Sequence, residues 1–315
     1  MKRFNSQQTR AALPFPRLIE ALRAMFIEGC EVPQRHTHTL APQGDTGGGT
    51  VLIMPAWQAG RYLGIKTVSI FPGNASQGLP ALFSSYRLHD ARTGEPLAEI
   101  DGNEITSRRT AAASALAGSM LARPDARQLL VVGAGRVGSL MAEAYQAVLP
   151  ITEVQVWNPR EAGALRLARS LGEQGVAAEA TTDLADAVAR ADIVSCATLS
   201  REPLVQGGWL AEGSHLDLIG SFTPQMREAD DACFAGASLY VDTLEAVQKS
   251  GDLLGPLERK VISAADVRAT LQALCRGEHP GRSSASERTV FKSVGTALED
   301  LAAAILVYES EPAEA

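Results

Sequence analysis

Two sets of residues in this 315-residue chain have types and spacings that could do chemistry. The first is Gly133, Gly135 and Gly138, at GxGxxG spacing directly behind an apolar run over residues 129–132. Such a run makes a buried parallel strand, and each glycine then has its own duty. Gly133 permits the tight turn out of the strand, Gly135 the close approach of a pyrophosphate, and Gly138 the close packing of helix on strand. With Arg136 and Val137 between them they form a turn whose anion would sit on free N–H groups at the start of the next helix. Leu140, Met141, Ala144 and Val148 share one face of that helix. A second strand-like run, residues 153–157, ends at Asn158, where the ribose-reading residue of such a unit belongs. A carboxylate there would bind both ribose hydroxyls and repel a 2′-phosphate, whereas Asn158 with Arg160 tolerates or attracts that phosphate. The pair favours NADP(H) and leaves NAD(H) open; the lesser alternative is that Arg160 is a solvated first-turn residue of the next helix.

The second set is Arg35, Lys66 and Arg109, cations in apolar or small-residue surroundings and not in mixed-charge surface runs. Taken singly, a cation at a strand edge is usually a solvated surface residue. Converging, they would suit a substrate carboxylate, which arginine binds bidentately.

The elements that must hold these residues fall into two patterns. Residues 14–29 have helical spacing, with Leu18, Leu22, Met25 and Phe26 on one face. Strand-like runs at 32–38, 51–55, 62–70, 81–89 and 96–100, with a glycine-rich loop at 44–49 and a turn at 90–94, predict an antiparallel β-rich region. Thr106 or Ser107 can cap an alanine-rich helix over 108–122. Beyond Pro124 strands and helices alternate. Helical runs at 161–171 and 184–191 are interleaved with extended runs at 175–180, 192–197, 214–219 and 238–242. That alternation predicts a doubly wound parallel sheet. Val290, Val294, Leu298, Leu301 and Ile305 mark a last helical stripe, expected to pack back on the N-terminal region and make the first domain discontinuous.

Composition narrows the partners. Hydrophobic content of 45% and charge of 21% are ordinary for a globular protein. A formal net charge of −7 argues against nucleic acid or an anionic membrane. Cys30, Cys196, Cys233 and Cys275 form no CxxC pair and adjoin no histidine cluster, so reduced thiols and no metal site are expected. The N-terminus lacks a signal-peptide run and no later run is long enough to span a bilayer, so a cytoplasmic protein is expected.

Ordered motifs run through most of the chain: Met54-Pro-Ala-Trp57, Gly64-Ile-Lys-Thr-Val68, Pro72-Gly-Asn74, Gly78-Leu-Pro80, Asp101-Gly102 and the segment 106–117. They continue with residues 132–138, Ile219-Gly-Ser-Phe-Thr-Pro224, Arg227-Glu-Ala-Asp230, Val290-Phe-Lys-Ser-Val-Gly295 and Glu299-Asp-Leu301. Through these motifs the chain resembles the ornithine cyclodeaminase/mu-crystallin family. The resemblance implies an α/β fold with a Rossmann-type doubly wound sheet over residues 118–288. It also implies a discontinuous β-rich α+β dimerisation and substrate domain, residues 1–117 and 289–315, and a homodimer. The family includes ornithine cyclodeaminases, an archaeal-type alanine dehydrogenase, and reductases of cyclic imines such as Δ1-pyrroline-2-carboxylate and Δ1-piperideine-2-carboxylate.

Carried over by position, Arg35, Lys66 and Arg109 match the family's substrate-carboxylate residues, with Lys66 as proton donor. Arg109 and Thr110 match positions beside the nicotinamide half of the cofactor. Gly135, Arg136 and Val137 match the pyrophosphate turn, and Asn158 and Arg160 the adenosine ribose end. Thr198 matches the strand end flanking the nicotinamide, and Ser293 a further cofactor contact. Phe222 is a departure. Cyclodeaminases of the family have an Asp two residues before the proline of the Ile-Gly-x-x-x-Pro motif, acting on the substrate amine; a phenyl ring can neither take a proton nor orient an ammonium. Phe222 would then wall the substrate pocket. The expected activity is NAD(P)H-dependent reduction of a cyclic α-imino acid to proline or pipecolate. Cyclodeamination, alanine-type dehydrogenation and non-catalytic cofactor binding are its rivals.

Overall fold

From Tyr62 to Ile70 buried residues recur at every second position, Gly64, Lys66 and Val68, so one face of this strand meets a core. The strand belongs to a computed structural model that describes residues 1–42 and 47–310, with Ala75 described by its backbone alone. The expected loop at 44–49 lies partly outside the described residues.

The chain begins with β1 (Lys2–Phe4), α1 (Ser6–Ala12), α2 (Phe15–Glu28), β2 (His36–Leu40), β3 (Gly49–Trp57), β4 (Tyr62–Ile70), β5 (Leu82–Asp90), β6 (Pro96–Asp101) and α3 (Gly102–Leu121). It continues with β7 (Gln128–Val132), α4 (Met141–Gln146), β8 (Glu153–Trp157), α5 (Glu161–Glu173), β9 (Ala178–Ala180), α6 (Leu184–Arg190), β10 (Ile193–Cys196), β11 (His215–Leu218) and β12 (Ser238–Val241). It ends with α7 (Ala246–Lys249), α8 (Gly251–Glu258), β13 (Val267–Thr270), α9 (Leu271–Cys275), β14 (Thr289–Lys292) and α10 (Ala297–Ser310). Two units result, Met1–Arg109 with Thr296–Ala315, and Thr110–Gly295.

The first unit is a sheet in the order β1-β6-β5-β4-β3-β2, antiparallel except where β1 joins β6. Met54, Lys66, Tyr86 and Ile100 form one cross-strand row, and all of them are buried. α10 packs on β3, β4 and β5 and against α2, which buries Phe15, Leu18, Ile19, Leu22, Met25 and Phe26. The row explains a glycine: a Cβ on Gly64 would stand 1.8 Å from Tyr86 Oη, so the Tyr86 ring and a side chain at position 64 exclude each other.

The second unit is a parallel sheet in the order β13-β12-β14-β11-β10-β7-β8-β9. Its central strands are buried end to end, as strands covered on both faces must be. β8 and β9 extend the sheet on one side of β7, and β10 lies on the other. The C-terminal ends of β7 and β10 therefore form a topological switch point, where such sheets bind ligands.

Several expectations are corrected. Pairing of the 32–38 run starts only at His36, because Pro33 has no N–H to give and all of β2 is exposed, with no face to bury. Arg35 thus precedes the strand. α3 starts at Gly102, not near residue 108: the Asp101 carboxylate accepts from the Glu104 N–H at 2.8 Å, and the Ser107 hydroxyl bonds back to the Asn103 carbonyl inside the helix. Beyond the glycine turn a 3-10 turn at Gly138–Leu140 precedes the short α4, and Val148 lies past its end. Val290 is not on the last helix either, since β14 pairs with β11 and β12. The two units meet at residues 109/110 and 295/296, where the resemblance implies boundaries at 117/118 and 288/289. The helix proper, α10, does pack on the N-terminal elements.

Candidate functional site

In the first unit the buried face of β4 delivers Lys66 to α10. Its ammonium lies 2.6 Å from Asp300 Oδ2 and donates to Thr106 Oγ1 at 3.3 Å. Arg109, on α3, donates from Nε to Asp300 Oδ1 at 2.9 Å and from Nη1 to Glu299 Oε2 at 2.5 Å. One carboxylate thus joins the two cations. Lys66 is 2% exposed, Arg109 6%, and Glu299 and Asp300 are fully buried, so solvent screens these charges little. Both acids stand in the first turn of α10, where the helix dipole favours negative charge.

Burial decides the charge states. It pushes the Lys66 ammonium down to about 8, Asp300 opposing the shift and Arg109 adding to it. Burial disfavours the Asp300 anion, yet Lys66 and Arg109 more than offset this and hold it below the usual carboxylate range. Burial likewise works against the Arg109 cation, and Asp300 with Glu299 keeps it above its ordinary value. A lysine that titrates near neutrality, beside an arginine that never does, is suited to proton delivery next to an anion-holding group.

In the second unit the chemistry is carried by backbone. Gly133 leaves β7 at φ 108, its N–H bonded to the Trp157 carbonyl, with Ala197 O only 2.6 Å from where a Cβ would stand. A Cβ on Gly138 would meet Gly133 O at 1.9 Å. Gly135 is exposed and has nothing within 4 Å of its Cβ position, so the outer side of the turn is open to a large anion. These residues fit the pyrophosphate of a dinucleotide. Asn158 clamps the turn: its Oδ1 accepts from the Ala134 N–H at 3.2 Å and its Nδ2 donates to the Arg160 carbonyl at 2.8 Å.

The strand ends beside the turn are held by buried acids. Glu228 accepts from the Thr198 N–H at 2.7 Å and hydroxyl at 2.9 Å, and from the N–H groups of Gly220 and Ser221 at 2.8 and 3.2 Å. Burial, with Asp252 close by, pushes Glu228 up. Lys292 donates to Asp252 at 3.1 Å and lies 3.9 Å from Glu228. Asp242 accepts from the Ser293 hydroxyl at 2.9 Å and from the N–H groups of Val294 and Gly295 at 2.8 and 2.6 Å.

Among the expected site residues, Lys66 and Arg109 come together on Asp300. Arg35 is half-buried one residue before β2, and Thr110 follows Arg109 along α3. Gly133, Gly135, Arg136, Val137 and Gly138 form the turn, with Arg136 exposed at its tip and Val137 half-buried. Thr198 and Ser293 follow β10 and β14, with their hydroxyls donated to Glu228 and Asp242. Arg160 is exposed at the start of α5, and Phe222 is 44% exposed in the loop after β11. Asp230 accepts from the Cys233 and Gly207 N–H groups, a cap and not a spare base. Sequence reasoning missed Glu299 and Asp300 as site residues; the available signal was adjacent acids inside the otherwise apolar run of 297–307. Among the described residues no helix is long and apolar enough to cross a membrane, and no His, Cys, Asp or Glu group is placed to hold a metal.

The sequence profile of the ornithine cyclodeaminase/mu-crystallin family matches residues 11–314. A Δ1-pyrroline-2-carboxylate reductase of Paracoccus denitrificans is 42% identical over 287 residues, 90% of this chain and 88% of that protein. The structure of Thermococcus litoralis Δ1-pyrroline-2-carboxylate reductase in complex with NADH and L-proline matches with a TM-score of 0.90 at 32% identity, covering 98% of this chain and 97% of that one. An archaeal alanine dehydrogenase dimer with bound NAD matches with a TM-score of 0.89 at 30% identity, covering 98% and 95%.

Proposed function

The chain belongs to the ornithine cyclodeaminase/mu-crystallin family, and from that premise we propose that it is an NAD(P)H-dependent reductase of cyclic α-imino acids. It forms proline from Δ1-pyrroline-2-carboxylate or pipecolate from Δ1-piperideine-2-carboxylate. The observation that carries this reading is the buried Lys66, a proton donor near neutral pH held beside Arg109, in a chain with Phe222 where a cyclodeaminase needs a carboxylate.

A reduced nicotinamide held by these residues would supply the hydride that reduces the C=N carbon. Lys66 protonates the imine nitrogen as the amine forms. Arg109, whose Nε and Nη1 are engaged by Asp300 and Glu299, offers Nη2 to the substrate carboxylate, and Arg35 completes its seat. Fixing the carboxylate orients the reacting carbon and makes the step effectively unimolecular. The glycine turn, with Thr198, Ser293 and Thr110, receives the dinucleotide; Phe222 walls the substrate. NADP(H) is preferred and NAD(H) accepted, since position 158 bears no carboxylate to repel a 2′-phosphate and Arg160 is exposed beside it. The enzyme works as a cytoplasmic homodimer, its free thiols matching a reducing compartment.

The test is absorbance at the reduced-nicotinamide band with purified protein, NADPH and Δ1-pyrroline-2-carboxylate, beside incubations of ornithine with NAD and of pyruvate with ammonia and NADH. Rapid loss with the imine alone is expected. Proline and ammonia from ornithine would make the chain a cyclodeaminase, and turnover that requires ammonia an alanine-type dehydrogenase.

A further inference from the structure

We propose that Asp300 is the positioning residue of this site: its two oxygens fix the Lys66 ammonium and the Arg109 guanidinium relative to each other, and its charge keeps Lys66 protonated for delivery. The inference rests on the reductase reading.

Both oxygens of Asp300 are committed to cations. Oδ2 is 2.6 Å from Lys66 Nζ and Oδ1 accepts from Arg109 Nε at 2.9 Å, on a residue with no exposed surface. Glu299, one residue earlier, takes Arg109 Nη1, so the guanidinium is held from two sides, by Asp300 at Nε and by Glu299 at Nη1. Among the described residues, the groups that act on Lys66 come from the elements packed around it. Thr106 and Arg109 come from α3, and Glu299 and Asp300 from α10. Tyr86, opposite Lys66 on β5, has its phenol held neutral by burial. Without the Asp300 charge, burial and Arg109 both drive Lys66 toward the neutral amine, which has no acidic proton to give to the imine nitrogen. Asparagine cannot substitute. Because both oxygens of Asp300 face cations, an amide there must turn its NH2 against one of them, whichever way it is flipped.

The chain has only five lysines, Lys2, Lys66, Lys249, Lys260 and Lys292, so [ε-13C]lysine labelling of the intact protein gives few enough signals to follow Lys66 alone. Lys66→Arg assigns the Lys66 signal by its loss. In the wild type that signal titrates near 8. In Asp300→Asn it moves down by about one pH unit or more. The alkaline limb of kcat for imine reduction, which falls as Lys66 loses its proton, moves to lower pH by the same amount. Asp300→Glu keeps the charge but shifts the oxygens by a methylene: the midpoint stays near the wild-type value while kcat falls about tenfold with KM less altered. An unmoved Lys66 midpoint in Asp300→Asn overturns the proposal. If that variant does not fold, Asp300→Glu decides it, and wild-type kcat there overturns the positioning role. The titration needs no substrate. A wild type inert toward imines whose Lys66 midpoint still depends on Asp300 would therefore overturn the reductase reading, whereas an active wild type with an insensitive midpoint would overturn this inference alone.

Discussion

Each unit buries a lysine against carboxylates, and the two use the same ingredients differently. In the first, the acids of α10 bond to side chains, Asp300 to Lys66 and Arg109 and Glu299 to Arg109. In the second, the acids around Lys292 bond mostly to backbone: Glu228 to the N–H groups of Thr198, Gly220 and Ser221, and Asp252 to those of Glu228 and Ala229. The first cluster holds side chains, which the proposed function makes reactive, while the second holds the ends of strands. A buried ion pair is weak evidence of net stability, so what its acids hold is the better guide to its role. By that criterion the proposed reductase reading makes Lys66 a working residue and Lys292 a brace.

The largest effect expected from breaking this comparison is on catalysis. Lys66→Ala should lower kcat for imine reduction by about 10²–10⁴-fold. It should leave dinucleotide affinity, read by quenching of protein fluorescence, at the wild-type level. The fold should survive, because Asp300 keeps Arg109 as a partner when Lys66 is lost. Wild-type turnover in this variant would remove Lys66 as the acid.

Lys292→Met should behave in the opposite way. It leaves Glu228 and Asp252 facing each other with no cation, in a region with no exposed surface, and should cost about 3–5 kcal/mol in urea unfolding. The sign of its pH dependence follows from Glu228. An acid whose folded value is raised above its unfolded one contributes stability when protonated, and loses it as pH rises through the folded value of about 7. The deficit of the variant should therefore shrink as the pH is lowered from 8 to 6. A stability loss smaller than that of Lys66→Ala would show that Lys292 braces nothing.

The contrast between side-chain and backbone work also explains what was legible in the sequence. β4 and β8 can be read to the residue, because period-two alternation or an apolar run states which faces are buried. The glycine turn can be read because only glycine meets its geometry, as Gly138 against Gly133 O shows. β14 cannot. Its residues, Val290 among them, continue a helical stripe into α10, and Lys292 at its end reads as a surface lysine until both strand neighbours are known. Asp300 was hidden for a related reason: its partners lie on β4 and α3, far away in sequence, and only the fold brings them to it. Resemblance located Lys66 and Arg109; packing was needed to show what holds them.

Arg160 is the place where the second unit is expected to act through a side chain, and it sharpens the comparison with the smallest effect. The Asn158 amide is tied to Ala134 N–H and to the Arg160 carbonyl, so it reads the ribose less than it holds the turn. On the proposed NADP(H) preference, discrimination of a 2′-phosphate falls to the Arg160 guanidinium, which is exposed at the start of α5. An exposed Arg–phosphate contact is weakened by solvent and salt, so Arg160→Ala should reduce the kcat/KM ratio of NADPH to NADH by only about tenfold. The loss should come mainly through KM for NADPH, with kcat for NADH unchanged. It should also diminish as ionic strength is raised, because the contact being removed is already screened there. A ratio that does not move would assign the preference to the backbone of the turn, and with it the whole of cofactor recognition in this unit.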